Sequence, residues 1–331
     1  MINLKKAGLS ALAGSLVAFS ASAADVSVSG GVELTYTDTG GNSGNEVTGN
    51  SYGANSGITF AASGDVGFGT LSMTRSINDT ATGWGSTFQT LDLGDAGVLS
   101  FDGSGGALVG YTANDDVLPT AYEESWNGVA GSGIVGVGST NVIGYRNSFG
   151  GVSVSAGYTN ADGAAQTGES AVSGPGGHGS IADIYVSSSD LMENVTVGFG
   201  HAESSATNVS TTTTDTTSTG GSIVYSAGQF SVGYRLAHVD SGAASTAGQE
   251  IVGYSLAFNL NDNFAISYGA QDTKHEAIGA TAKTTEEVVG YNAAYTVGAA
   301  SVRFSHSQSD RDGGVAGADD EHTELSLVLS F

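Results

Sequence analysis

The sequence predicts an all-β fold, a 16-stranded antiparallel transmembrane β-barrel. Three observations carry this. Apolar residues alternate with small polar ones at period two through most of the chain, the pattern of strands whose two faces meet different surroundings. Short turns alternate with long loops. The polar face of each strand is mostly Ser, Gly, Thr and Asn and holds few charges, which suits a water-filled lumen better than a dry core.

Composition narrows the function classes. The chain has 331 residues, with 52 glycines, 2 prolines and no cysteine. No disulfide scaffold and no thiolate metal site can be built from it. Lys and Arg total 9 against 33 Asp and Glu, a formal charge of −24. Such a chain lacks the bases that neutralise phosphate, so no nucleic-acid partner is expected. Electrostatic docking on an anionic membrane surface is disfavoured for the same reason.

Residues 1–23 read as a secretory signal peptide. Lys5 and Lys6 lead an apolar, Ala-rich stretch, and Ala21-Ser22-Ala23 offers a small-residue cleavage site. Removing the two lysines takes the formal charge from −24 to −26. Residues 24–331 then form a single barrel domain, and no later apolar run is long enough for a membrane-spanning helix.

Sixteen alternating segments can be followed in order. The first places Val26, Val28, Val32, Leu34 and Tyr36 on one face and Ser27, Ser29, Gly31, Glu33 and Thr35 on the other. The second holds Ile58, Phe60 and Ala62, and the third Leu71 and Met73. Trp84–Leu93 and Val98–Asp102 come next. After a long gap follow 141–146, 152–158, Ile181–Ser189 and Glu193–Ala202. Three hairpins succeed them: Ile223–Ala227 with Phe230–Val239, Ile251–Asn259 with Phe264–Gln271, and Val288–Thr296 with Ala300–Ser307. The last segment is Thr323–Phe331. Short turns are expected near 65, 95, 148, 190, 228, 261 and 298, with longer polar loops between them. The Thr-rich run Thr211–Thr219 is read as loop, and Asp310, Asp312, Asp319, Asp320 and Glu321 are placed in the last loop. Short turns on one side and long loops on the other mark an outer-membrane barrel. Tyr36, Tyr158, Tyr234, Tyr254, Tyr268, Tyr291 and Phe331 are candidates for its interfacial girdles facing outer-membrane lipid.

The stretch Val142-Ile143-Gly144-Tyr145-Arg146-Asn147-Ser148-Phe149-Gly150-Gly151-Val152-Ser153-Val154-Ser155-Ala156-Gly157-Tyr158 resembles the hairpin after the constriction loop in the general diffusion porins of alphaproteobacteria, the Rhodobacter-like Gram-negative porins. It departs from their pattern in the order Tyr145-Arg146 and in lacking a proline before Phe149. Residues 90–101 resemble the hairpin before that loop, and the terminal Phe331 resembles the aromatic end that barrel-assembly machinery recognises. The resemblance implies a homotrimer whose long third loop, here about 103–140, folds into each barrel and constricts the pore. That loop carries Asp115, Asp116, Glu123 and Glu124 and no base. The resemblance also implies basic residues on the wall facing it. The lumen parity offers Arg146, Arg235 and Arg303, whereas Arg75 shares the parity of Leu71 and Met73.

The function expected is passive diffusion of small hydrophilic solutes and ions through the outer membrane, with a preference for cations. A substrate-specific channel of the same fold and a non-conducting, adhesin-like barrel are the alternatives. No catalytic residues are expected: a hydrolase needs a Ser–His pair held by a third group, and the six histidines read as loop or strand-end residues. No cofactor is expected either. Asp115 and Asp116 are candidate ligands for a structural Ca²⁺ by family analogy alone, since no EF-hand spacing is present.

Overall fold

Alternation becomes strand wherever it is sustained. The computed structural model describes residues 25–42, 49–78, 85–104, 109–111, 115–138, 140–160, 180–205, 215–241, 248–277 and 284–331. The leader read over 1–23 and Trp84 lie outside these residues. The strands are β1 (Asp25–Gly41), β2 (Tyr52–Asp65), β3 (Thr70–Asn78), β4 (Thr87–Asp92), β5 (Val98–Ser104), β6 (Val142–Phe149), β7 (Val152–Thr159) and β8 (Ile181–Met192). They continue as β9 (Val195–Ser204), β10 (Thr216–Ala227), β11 (Phe230–Asp240), β12 (Gln249–Asn261), β13 (Phe264–His275), β14 (Thr285–Val297), β15 (Ala300–Asp310) and β16 (Asp319–Ser330).

Every strand pairs antiparallel with its sequence neighbours, and β1 pairs with β16 to close the barrel. Gly31 lies opposite Ser330 and Gly41 opposite Asp320. Two backbone bonds between Gly30 and Phe331, at 3.0 and 2.9 Å, finish the seam. Closure leaves no strand edge to hydrocarbon, where an unpaired N–H or C=O costs several kcal/mol.

The turns show why the chain reverses where it does. Gly150 and Gly151 join β6 to β7 with φ of 54° and 81°, the double left-handed conformation of a tight hairpin turn that other residues resist. Between β12 and β13 the Asn261 side-chain oxygen accepts from the N–H groups of Asn263 (2.9 Å) and Phe264 (3.1 Å). The loop reading of the Thr-rich run is corrected for Thr216–Thr219, which belong to β10, while 211–214 lie outside the described residues. Asp310 likewise ends β15, and Asp319, Asp320 and Glu321 open β16. The turns expected near 148 and 190 fall later, at 150–151 and 193–194. The error at the loop ends has one cause. The alternation test sees only the band that meets lipid, and the ladder runs past it into polar sequence.

The outward face is apolar. Val28, Leu34, Ile58, Leu71, Phe199, Tyr234, Leu256, Tyr291 and Leu325 are all exposed on it. Aromatics pair across neighbouring strands, Phe230 with Phe258 at 4.4 Å and Tyr268 with Tyr291 at 5.2 Å between ring centroids. Such outward aromatic bands sit at the headgroup level of a membrane.

Candidate functional site: the inner wall and the segment docked on it

The inward parity builds an uneven wall. Along β1 to β4 the inward residues Ser27, Ser29, Asn55, Thr59, Ser72, Thr74 and Thr90 are exposed or half-exposed. On β8 to β15 many inward residues are buried, among them Asp183, Ala202, Ser218, Arg235, Ile251, Gln271 and Ser305. What covers them is the long connection between β5 and β6, whose described parts are 109–111 and 115–138.

Its hydrogen bonds to the wall define a path. The Gly110 N–H donates to Ser155 Oγ on β7 (2.8 Å). Ala121 N–H donates to Ser267 Oγ on β13 (2.9 Å). The Asn292 amide on β14 donates to Glu123 C=O (2.8 Å). Tyr122 Oη donates to Glu324 Oε1 on β16 (2.7 Å). The chain then turns back, and Val137 N–H donates to Asp183 Oδ2 on β8 (3.1 Å). Both ends of the segment meet in an apolar neck of Val109, Val137, Val142 and Ile181.

Inward glycines clear the way. A Cβ at Gly144 would crowd Val109, at Gly157 Val137, at Gly200 and Gly220 Tyr111, at Gly233 Pro119, at Gly253 Leu118, and at Gly290 Ser125. Tyr111 fits into the Gly200–Gly220 notch and stacks on Tyr185, centroids 6.4 Å apart and planes within 5°. Part of the high glycine content is thus a track for this segment.

Arg235 is the clamp. It is 2% exposed. Its guanidinium donates to the carbonyls of Asp115 (2.6 Å) and Ser132 (3.1 Å) and to Gln271 Oε1 (2.6 Å). Gln271 in turn donates to Gly131 C=O (3.0 Å). The Trp126 ring lies 4.8 Å from the guanidinium carbon, within cation–π reach. One side chain therefore ties the outgoing limb of the segment to the returning one.

The expected site residues fall in three places. Asp115, Asp116 and Glu124 all lie close enough to Arg235 to act on its charge. Glu123 lies close enough to Glu324 and Glu33 of the β16–β1 wall to feel their like charge. Arg303 faces inward with its guanidinium carbon 5.2 Å from the Tyr122 ring. Arg146 is exposed near the turn end and lines a cavity of about 610 Å³ with Asp92, Ser148, Ser155, Tyr185 and Ser187. Arg235 and Arg303 are thus on the wall that carries the segment. Sequence reasoning did not single out Glu33, Tyr122, Gln271, His322, Glu324 or the glycine track. Their common signal is inward parity combined with a polar or absent side chain.

Crowding inside the barrel perturbs the segment's own groups. Partial desolvation, then a hydrogen bond that protonated Asp116 donates to Glu124, and the charges of Glu124 and Asp115, push Asp116 from 3.8 up to about 8. Burial pushes Tyr111 up to about 12, against the pull of Arg235. Burial also raises Glu123, helped by Glu124, Glu324 and Glu33. The described residues contain no cluster of three metal-binding side chains. The Asp116 shift has a consequence for stability. Between about pH 4 and 8 the folded chain holds a proton there that the unfolded chain has lost, so stability falls as pH rises through that window. Melting in detergent at pH 5 and pH 8.5 should show the loss, and Asp116→Asn should flatten it.

One serine string deserves exclusion on geometry. Gly49-Asn50-Ser51-Tyr52-Gly53 has the spacing of a hydrolase nucleophile elbow. It leads into strand β2 rather than a helix, and its Ser51 carbonyl accepts from Thr37 N–H (2.8 Å) as ordinary ladder. Among the described histidines, His201, His238, His306 and His322 lie within strands and His275 ends β13; His178 is outside the described residues.

Comparisons with known proteins bear on this architecture. No curated protein matches the chain. Solved structures similar in fold include a porin refined at 1.8 Å resolution, 16% identical with a TM-score of 0.65, and an anion-selective porin from Comamonas acidovorans, 14% identical with a TM-score of 0.62. The trimer form of OmpT from Vibrio cholerae is 15% identical with a TM-score of 0.65. Each likeness covers 93% of this chain and 100% of the other. At these identities they speak for the fold. The model of the Gram-negative porin family matches residues 8–331. With its closed sixteen-stranded barrel, apolar outside and polar inside, the chain belongs to the Gram-negative porin family.

Proposed function

We propose that the protein is a passive channel for small hydrophilic solutes and ions across the bacterial outer membrane, and that it prefers cations. The observation that carries this is the uneven inner wall. One side is covered by a docked segment, and the other is a row of exposed hydroxyl and amide side chains on β1 to β4. On this reading the segment between β5 and β6 narrows the lumen, and solutes pass between it and the free wall. Width and charge at that level then set what passes. Export after removal of residues 1–23, recognition of Phe331 by assembly machinery, membership of the alphaproteobacterial group and trimeric assembly belong to the same proposal. Low outward bulk at Gly30 and Ser56, beside Val32, Ile58 and Phe331, would suit a subunit contact.

The test is single-channel recording in a planar bilayer under a KCl gradient. Conductance steps in groups of three, with a reversal potential set mainly by K⁺, are expected. The preference should weaken at 1 M salt, where screening reaches only about 3 Å. A protein that inserts without conducting would remove the channel reading and leave a surface barrel.

A further inference from the structure

We propose that cation preference is set on the β1–β16 wall, chiefly by Glu33 with Glu324, rather than by the acids at the Arg235 clamp. The inference rests on the channel reading above and names its specificity-determining residues.

The charge distribution leads there. Outside the leader, the described bases are few and mostly committed. Arg75 shares the outward parity of Leu71 and Met73 on β3. Lys274 pairs with Glu250 at 2.8 Å on the surface. Arg311 pairs with Glu287 and donates to Thr285 C=O (2.6 Å). The inward arginines Arg146, Arg235 and Arg303 stand on β6, β11 and β15. The inward positions of β1 to β5 hold no Lys or Arg.

The acids divide into two groups. Asp115, Asp116 and Glu124 surround the buried Arg235, and Asp116 shares a hydrogen bond with Glu124. One fixed positive charge and one retained proton offset most of their charge. The second group stands on β1 and β16, at the edge of the segment. Glu33 stands mid-strand on the inward face of β1, opposite Asn55 on β2. Its Oε1 accepts from Ser326 Oγ at 2.5 Å. Glu324 stands on β16 and accepts from Tyr122 at 2.7 Å. His322 lies 3.7 Å from Glu324 and offsets it only when protonated. Asp25, Asp65 and Asp92, toward the turn end of the same wall, add charge of the same sign. A solute passing the segment on this side meets Glu33 and Glu324 with one arginine beside them, Arg303, which stands opposite Ser326 on β16 and 5.2 Å from the Tyr122 ring, while Asp92 shares a cavity with Arg146.

The resemblance to Rhodobacter-like porins implies the opposite layout, with bases on the wall facing an acidic loop. Here β1 to β5 carry no inward base, Arg235 lies beneath the loop, and Glu33 and Glu324 stand on the wall at its edge.

The experiment compares reversal potentials in a tenfold KCl gradient for wild type, Glu33→Gln, Glu324→Gln and Asp115→Asn. Each Gln keeps the acceptor oxygen for Ser326 or Tyr122, so the fold should hold. Glu33→Gln and Glu324→Gln should each lower the K⁺/Cl⁻ permeability ratio by up to about tenfold. A unit charge about 6 Å away in water changes the local concentration of each ion by about threefold, in opposite directions. Asp115→Asn should change it far less, and Glu33→Lys should carry it toward anions. A shift in Asp115→Asn with none in the two Gln variants would overturn the assignment. So would a wild-type pore that conducts but prefers Cl⁻. Absence of any wild-type conductance would instead defeat the channel reading on which the assignment rests.

Discussion

Replacing Arg235 by alanine is expected to release the inner segment while leaving the barrel closed. The clamp holds the carbonyls of Asp115 and Ser132 and the side chain of Gln271, all in a region with almost no access to water. Removing the guanidinium leaves these acceptors without their donor. It also leaves Asp115, Asp116 and Glu124 without the charge that offsets them. A buried acceptor left unpaired costs about 1–3 kcal/mol, and breaking a buried charged contact about 3–5 kcal/mol. The strands lose none of their own ladder bonds. The energy should therefore be recovered by undocking the segment rather than by opening the barrel. Single-channel traces should show larger and noisier current levels, with the thermal transition of the barrel much less affected. Arg235→Lys should restore little, because an ammonium cannot copy the planar fork that spans Asp115, Ser132 and Gln271. Steady wild-type conductance in Arg235→Ala would show that the neck at Val109 and Val137 and the bonds at Ser267 and Asn292 suffice without the clamp.

Much of the barrel could be read before any coordinate. Strand order, closure and the inward parity of Arg146, Arg235 and Arg303 follow from a period of two, because a pleated strand leaves no choice of face. The role of Arg235 did not follow. Parity says that a side chain points inward; it cannot say whether water or another segment waits there. The same holds for the glycines. Gly200 and Gly220 read as small lumen residues, yet their use is to admit Tyr111. Glu33 stood in the polar row of the first strand from the start. Its weight depends on two facts outside that row: β1 to β4 are the uncovered wall, and the segment acids are matched by Arg235. The loop ends of β10, β15 and β16 were missed for a simpler reason. Their residues pair as strand but lie beyond the apolar band, so no alternation marks them.

Gly200→Ala should block the segment from seating, and this gives the sharpest test of the glycine track. A methyl there overlaps the Tyr111 ring, whose atoms are its three nearest neighbours. Tyr111 is 3% exposed, stacked on Tyr185 and packed with Ala202, so it has nowhere to retreat within the wall. Overpacking a filled site costs about 1–3 kcal/mol. The ring can escape that cost only by moving toward the lumen and taking the outgoing limb with it. Conductance should fall, because the displaced ring occupies the water-filled side. The double variant Gly200→Ala with Tyr111→Ala removes the overlap and should recover most of the lost current. Tyr111→Ala alone should weaken docking, since deleting a buried aromatic costs about 3–5 kcal/mol. The effects of the two substitutions should thus fail to add, as expected for residues in contact. Additive effects on conductance would place Tyr111 elsewhere in the conducting protein and remove the track as the device that positions the segment.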